Sequence, residues 1–351
     1  MDNVFIRQKA LLVAIGIFIL ITILVAGMFL IWRARLPKAI APASPAPQAS
    51  PAPQPELNPL QIEAIKARSY PGSAITFEQK LSTQTSIVSY LSDGNKIFAL
   101  LTTPAGSPPA SGWPIVLLNH GYINPATYQT NDGNYSGITN ALSNAGIAVI
   151  KPDYRGHGIS EGEPEGGHFS PVYTYDDLNL ISSISQSPQL NLDPARLGTL
   201  GHSLGAHVSL RVAVVSSNVK ATAYLSGVVG SIEDILYNWP NSPMPSDLPV
   251  AVQKTRENLL SQYGTPKTNP EFWNSVSAIN YVSGIVGASQ IHHSVSDSTV
   301  PVSFSAKLDS ALKDAGKPRE YYTYPGNDHQ LSLNSALVYE RVVSFFKTKL
   351  N

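Results

Sequence analysis

The stretch Leu197-Gly198-Thr199-Leu200-Gly201-His202-Ser203-Leu204-Gly205-Ala206 decides how the rest of the chain is read. Leu197 to Leu200 reads as a strand and Gly205 to Val215 as a helix, so Ser203 falls at a sharp turn from strand to helix. The pattern G-x-S-x-G is weak alone, because a chain this rich in glycine and serine meets it by chance. Its position gives it weight. Glycines at both flanks, with Ala206 behind, let such a turn approach neighbouring backbone without a side-chain clash. The helix amino terminus then aims NH groups and positive dipole at an oxyanion forming on a substrate. The competing reading is a glycine-flanked serine that merely caps a helix.

On either side of this turn, strand-like and helix-like segments alternate. Thr85 to Ser92 and Asn95 to Thr103 read as a hairpin through Asp93-Gly94, a dipeptide that favours the positive φ of a tight turn. Strands follow at Ile115 to Leu118, Ile147 to Ile150, Ala221 to Leu225, Ser289 to His293 and Glu320 to Tyr324. Helices are expected at Ser136 to Asn144, Thr174 to Ser185, Val302 to Ala315 and Ser335 to Lys349. The fold class is therefore α/β, with a mostly parallel central sheet covered by helices on both faces and chemistry at the carboxyl ends of the strands.

The amino-terminal end is different in kind. Ala10 to Trp32 runs 23 residues without a charge, as a helix roughly 35 Å long against a hydrocarbon core of about 30 Å. That predicts a single-pass membrane anchor within residues 1–36. A cleaved signal peptide is the competitor, but its apolar region is normally about 7 to 15 residues. Pro37 to Pro59 holds eight of the 28 prolines, with only Lys38 and Glu56 charged, and reads as an extended spacer. Arg7 and Lys9 precede the span while Arg33, Arg35 and Lys38 follow it, so charge leaves the orientation near a tie. The spacer tips the expectation toward an extracytoplasmic domain over residues 60–351.

Composition excludes several classes. The 24 basic and 24 acidic residues balance, so the wide basic field that nucleic acid needs is absent. With no cysteine there is no thiolate nucleophile or ligand, and no histidine and carboxylate cluster has metal spacing. No metal or cofactor is expected.

A serine hydroxyl needs a base, and the base an orienting carboxylate. His329 is best placed, in the turn-rich Pro325-Gly326-Asn327-Asp328-His329 after the last strand. Asp297 follows the strand Ser289 to His293 and is taken as the acid, with Asp328 and Asp234 as rivals. Leu204 NH at the helix start and Tyr122 NH, in Asn119-His120-Gly121-Tyr122 after an apolar strand, would form the oxyanion hole. His120 is expected to bond within its own loop. In Asp153-Tyr154-Arg155-Gly156-His157-Gly158, Arg155 and Asp153 are expected to satisfy backbone and each other.

These motifs taken together resemble the α/β-hydrolase superfamily, and within it the catalytic domain of the prolyl oligopeptidase family of serine peptidases. Asn269 to Val282, Asp297 to Pro301, Gly316-Lys317-Pro318 and Tyr324-Pro325-Gly326 with His329 carry that likeness. It implies a Ser203, Asp297, His329 triad and an acyl-enzyme. The chain departs in having His293-Ser294 where the family often has His-Gly, and in leaving only about 25 residues between spacer and Thr85, where no propeller fits. Peptide hydrolysis leads, small-ester hydrolysis is the alternative, and a non-catalytic binding module is the reading of another class. Gly227 to about Pro270 is expected to form a cap, with Trp239 and Tyr122 touching the substrate.

Overall fold

The computed structural model describes residues 2–36, 57–165, 167–240, 250–326 and 328–351. Contacts divide the chain into two units, Met1–Glu56 and Leu57–Asn351. The first contains α1 (Asp2–Arg35), within which Ile6–Arg35 has a mean hydropathy of 2.9. Among the described residues it is the one helix long and apolar enough to cross a membrane. It extends beyond the Ala10 to Trp32 core at both ends, where the nearest flanks, Arg7-Gln8-Lys9 and Arg33-Ala34-Arg35, are good helix formers. Most of the proposed spacer, residues 37–56, lies outside the described residues.

Among the described residues, the second unit is built on nine strands: β1 (Thr76–Lys80), β2 (Thr85–Ser92), β3 (Asn95–Thr102), β4 (Trp113–Asn119), β5 (Ala148–Pro152), β6 (Leu192–His202), β7 (Val219–Leu225), β8 (Ala288–Ser294) and β9 (Arg319–Tyr324). Their order is β1-β2-β3-β5-β4-β6-β7-β8-β9. The first three are antiparallel, β3 meets β5 antiparallel, and every pair from β5 to β9 is parallel. The β2–β3 turn takes the expected positive φ at Asp93 (53°) and Gly94 (84°).

Central strands are apolar because both faces are covered. Ile115 and Leu117 of β4 join the core on one face, while Val116 and Leu118 join the core on the other. The first core packs α4 (Val172–Ser185), α5 (Leu204–Val215) and α9 (Val302–Asp314), through Leu178, Leu210 and Phe304. The second packs α3 (Ser136–Asn144) and α10 (Ser335–Lys349), through Ile138, Leu142, Val342 and Phe346. Further helices are α2 (Ile62–Ala67) before the sheet and α6 (Ile232–Tyr237), α7 (Val250–Tyr263) and α8 (Pro270–Val276) between β7 and β8. α6 and α7 occupy the stretch read as a cap, of which 241–249, with Pro243, Pro245 and Pro249, lies outside the described residues, and α8 follows that stretch.

Candidate active site

β6 ends at His202, and α5 begins at Leu204, so one residue makes the turn. Ser203 takes φ 54° and ψ −117°, a conformation that a side-chain-bearing residue adopts only under constraint. The constraint is visible. Ser203 NH donates to Leu225 O (3.0 Å) and Ser203 O accepts from Val228 NH (3.1 Å), pinning the turn to the end of β7. A Cβ at Gly201 would collide with Gly205 backbone, and one at Gly205 with Asn119 backbone, so both glycines are required by close approach.

Asp297 sits just past β8 with its side chain shielded from solvent. Its Oδ2 accepts from His329 Nδ1 at 2.7 Å, and its Oδ1 from the NH groups of Thr299 (2.8 Å) and Val300 (2.9 Å). His293 Nε2 lies 3.2 Å from the same Oδ2. Burial would raise this carboxyl, but bonds from His293, His329 and the Val300 NH outweigh it and hold it well below the usual carboxylate range. An ionised Asp297 only accepts, so His329 carries its proton on Nδ1 and leaves Nε2 with a free lone pair. His329 and Ser203 line one cavity of about 780 Å³.

Leu204 and Tyr122 also line that cavity. Neither backbone NH donates to another group among the described residues. The half-exposed Tyr122 side chain stands on the cavity wall. Trp239 lines it too, and its Nε1 donates to Thr299 O at 2.6 Å, tying the α6 excursion to the loop that holds Asp297.

The rival acids are engaged elsewhere. Asp234 completes a capping box with Ser231 at the start of α6 and pairs with Lys307. Asp328 accepts from Gln330 and Ser332 NH groups and shapes its own turn. His292 bonds Tyr324 Oη and Gln290, on the face opposite His293, and no group of three metal-ligating side chains occurs among the described residues. His120 Nδ1 lies 2.7 Å from Gly121 O, within its loop as expected. One expectation is corrected: Arg155 and Asp153 do not pair. Arg155 bonds Asp176 (2.6 Å) and Asp93 (3.1 Å), while Asp153 accepts from Tyr128 (3.0 Å) and Thr130 (2.5 Å). The buried Asp176 of α4 is the stronger claim on a guanidinium, because Arg155 Nε and Nη2 both donate to its Oδ1, at 3.0 and 2.6 Å.

Several groups went unread in the sequence. His293 supports Asp297 from four residues before it; only the spacing from strand end to acid hints at this. Tyr135 and His202 bond each other across 67 residues, and no local signal announces such a contact. Arg211, buried in α5, donates to the carbonyls of His168 (2.8 Å) and Ser170 (2.9 Å) and fixes a wall segment of the cavity.

The chain is similar to known proteins. Residues 114–273 match a family model described as serine aminopeptidase, and residues 247–351 match the prolyl oligopeptidase family. A curated relative, the monoglyceride lipase of Mus musculus, is 28% identical over 137 residues, 39% of each chain. Among solved structures, a puromycin-hydrolyzing peptidase of Mycobacterium tuberculosis is 19% identical with a TM-score of 0.59, over 76% of this chain and 40% of that one. An acetyl xylan esterase from a Paenibacillus species is 18% identical with a TM-score of 0.60, over 81% of this chain and 91% of that one. At such identities the structural likeness establishes the fold. The chain spans about two fifths of the lipase and of the peptidase.

Proposed function

The chain is an α/β-hydrolase that resembles the catalytic domain of the prolyl oligopeptidase family, and from that premise we propose a membrane-anchored serine hydrolase working through an acyl-enzyme. One observation carries the reading: Ser203 on a strained turn and His329 bonded to an ionised Asp297 line the same cavity as two unengaged NH groups. Ser203 Oγ attacks a carbonyl carbon as its proton passes to His329 Nε2. Leu204 and Tyr122 NH groups receive the oxyanion. The tetrahedral species collapses, the leaving group takes the proton from His329, and the acyl-enzyme forms. Water, deprotonated by His329, then attacks the ester, and the second collapse returns the proton to Ser203 and releases the acid.

The leading substrate class is a small peptide, supported by the oligopeptidase match over residues 247–351, the part that contains Asp297 and His329. A second reading, a carboxylesterase on small esters, draws on the cavity wall. Among the described residues that wall contains Tyr122, Phe169, Trp239 and aliphatic groups, but no Asp, Glu, Lys or Arg. A free peptide amino terminus calls for a carboxylate partner; a blocked peptide or an ester does not. α1 serves as the anchor and Trp239 as part of a cap over the acyl subsite, with the domain extracytoplasmic.

A fluorophosphonate that phosphonylates wild type and not Ser203→Ala supports the enzyme reading; no Ser203-dependent labelling sinks it. Assay of free and blocked aminoacyl amides beside short-chain esters separates the two substrate classes, and turnover of esters alone removes the peptidase.

A further inference from the structure

The hydrogen bonds around His202 link three segments that the proposed chemistry uses separately. Gly121 NH donates to Tyr135 Oη (2.8 Å), Tyr135 Oη lies 2.9 Å from His202 Nδ1, and His202 Nε2 lies 3.1 Å from the carbonyl oxygen of His329. The proton positions follow from chemistry. A carbonyl only accepts, so His202 carries its proton on Nε2, and its bare Nδ1 accepts the Tyr135 hydroxyl. The phenol oxygen is then free to accept from Gly121. Burial, and then the neighbouring His329, lower His202 to a pKa of about 4, so the ring stays neutral at neutral pH.

Tyr135 reaches this place under strain, at φ 65°, where tyrosine is rarely found. Ser203 and Leu331, also at positive φ, line the same cavity. Gly121 is wedged among these groups: a Cβ there would lie 3.1 Å from His202 Nδ1 and Tyr135 Oη and 3.2 Å from Ser203 Cβ. Two peptide groups set the direction of the Tyr122 NH. His120 holds the Gly121 carbonyl of one, and Tyr135 holds the Gly121 NH of the other.

We propose that Tyr135 is a positioning residue which, through His202, keeps the oxyanion loop, the nucleophile turn and the base loop in one register. The proposal rests on the serine hydrolase reading above. Its physical basis is that the oxyanion donor and the base must be right in the same transition state, and a misplacement of about 1 Å in either costs about 100-fold.

The test uses the full chain in detergent, with rates expressed per fluorophosphonate-titrated site so that any misfolded fraction drops out. Tyr135→Phe is expected to lower kcat and the phosphonylation rate by about 10- to 100-fold with KM within about threefold. Affinity for an arylboronic acid, which forms a tetrahedral adduct on the serine, should fall by a similar factor, and affinity for the product acid should hold. Combined with His202→Met, it should do no more damage than the worse single change. A wild-type rate per site in Tyr135→Phe overturns the proposal, as does a loss spread equally over KM and product binding, or a multiplicative double variant. Labelling of wild type but not of Ser203→Ala keeps the hydrolase reading whatever Tyr135→Phe does; its absence removes both.

Discussion

A carboxylate that accepts from one histidine ring and two backbone NH groups, with a second imidazole nitrogen 3.2 Å away, has little tendency to take a proton, and Asp297 is in that position. Its folded pKa lies below an unfolded value of about 3.9. The stability it contributes is therefore present above about pH 4 and is lost as pH falls through the folded value. Asp297→Asn removes the charge and can turn an amide NH toward His329 Nδ1, favouring the wrong ring tautomer. We expect kcat to fall by about 10⁴ with KM little changed, measured per titrated site. Asp153 makes the opposite case. Burial raises it to about 7 despite bonds from Thr130 and Tyr128, so between about pH 4 and 7 the folded chain binds a proton that the unfolded chain has released. Stability from this group falls across that window as pH rises. Asp153→Asn, already neutral, should gain in Tm relative to wild type from pH 4 to 7 and show a constant difference above it; a difference independent of pH would refute the shift. At this scale Ser203, Asp297 and His329 could be singled out in the sequence because each follows a strand with its own turn chemistry. His293, Tyr135 and His202 were not, since their roles arise from contacts that only the folded sheet makes.

Elements with a strong period were legible and those without were not. Ser136 to Asn144 and Ser335 to Lys349 form helices over the expected residues because each presents one apolar face to the second core. β1 escaped notice because all five of its residues are exposed and Thr76-Phe77-Glu78-Gln79-Lys80 has no buried alternation. α2 has six residues and rests on Ile62 and Ile65, too short a pattern to distinguish from a turn. The β6–α5 crossing is the element-scale feature most sensitive to substitution. Because Gly205 faces Asn119 backbone on β4, and not a movable side chain, Gly205→Ala must push α5 away from the sheet. We expect a loss of at least about 3 kcal/mol or insoluble protein. Gly94→Ala is the control, because nothing lies within 4 Å of a Cβ there and the cost is confined to its φ of 84°. Urea denaturation of the two variants, referred to wild type, compares them; equal costs would mean that the close approach at Gly205 is relieved cheaply.

For the whole molecule, the informative division falls between Glu56 and Leu57. Every residue lining the cavity, both hydrophobic cores and all nine strands belong to Leu57–Asn351. Residues 10–59 hold eight of the 28 prolines and only four of the 48 charged residues, Arg33, Arg35, Lys38 and Glu56. A hydrophobic core of this extent is what an independently folding domain needs. The fragment 57–351 is therefore expected to be soluble, to unfold in a single cooperative transition, and to phosphonylate at Ser203 at a rate within about twofold of the full chain in detergent. The comparison separates anchoring from chemistry. If the fragment folds and labels slowly, α1 or residues 37–56 take part in substrate access, and the anchor is more than a tether. If it labels at the full rate, residues 1–56 govern only where the reaction takes place, and protease protection of the intact chain in sealed vesicles then reports the side of the bilayer on which the serine works.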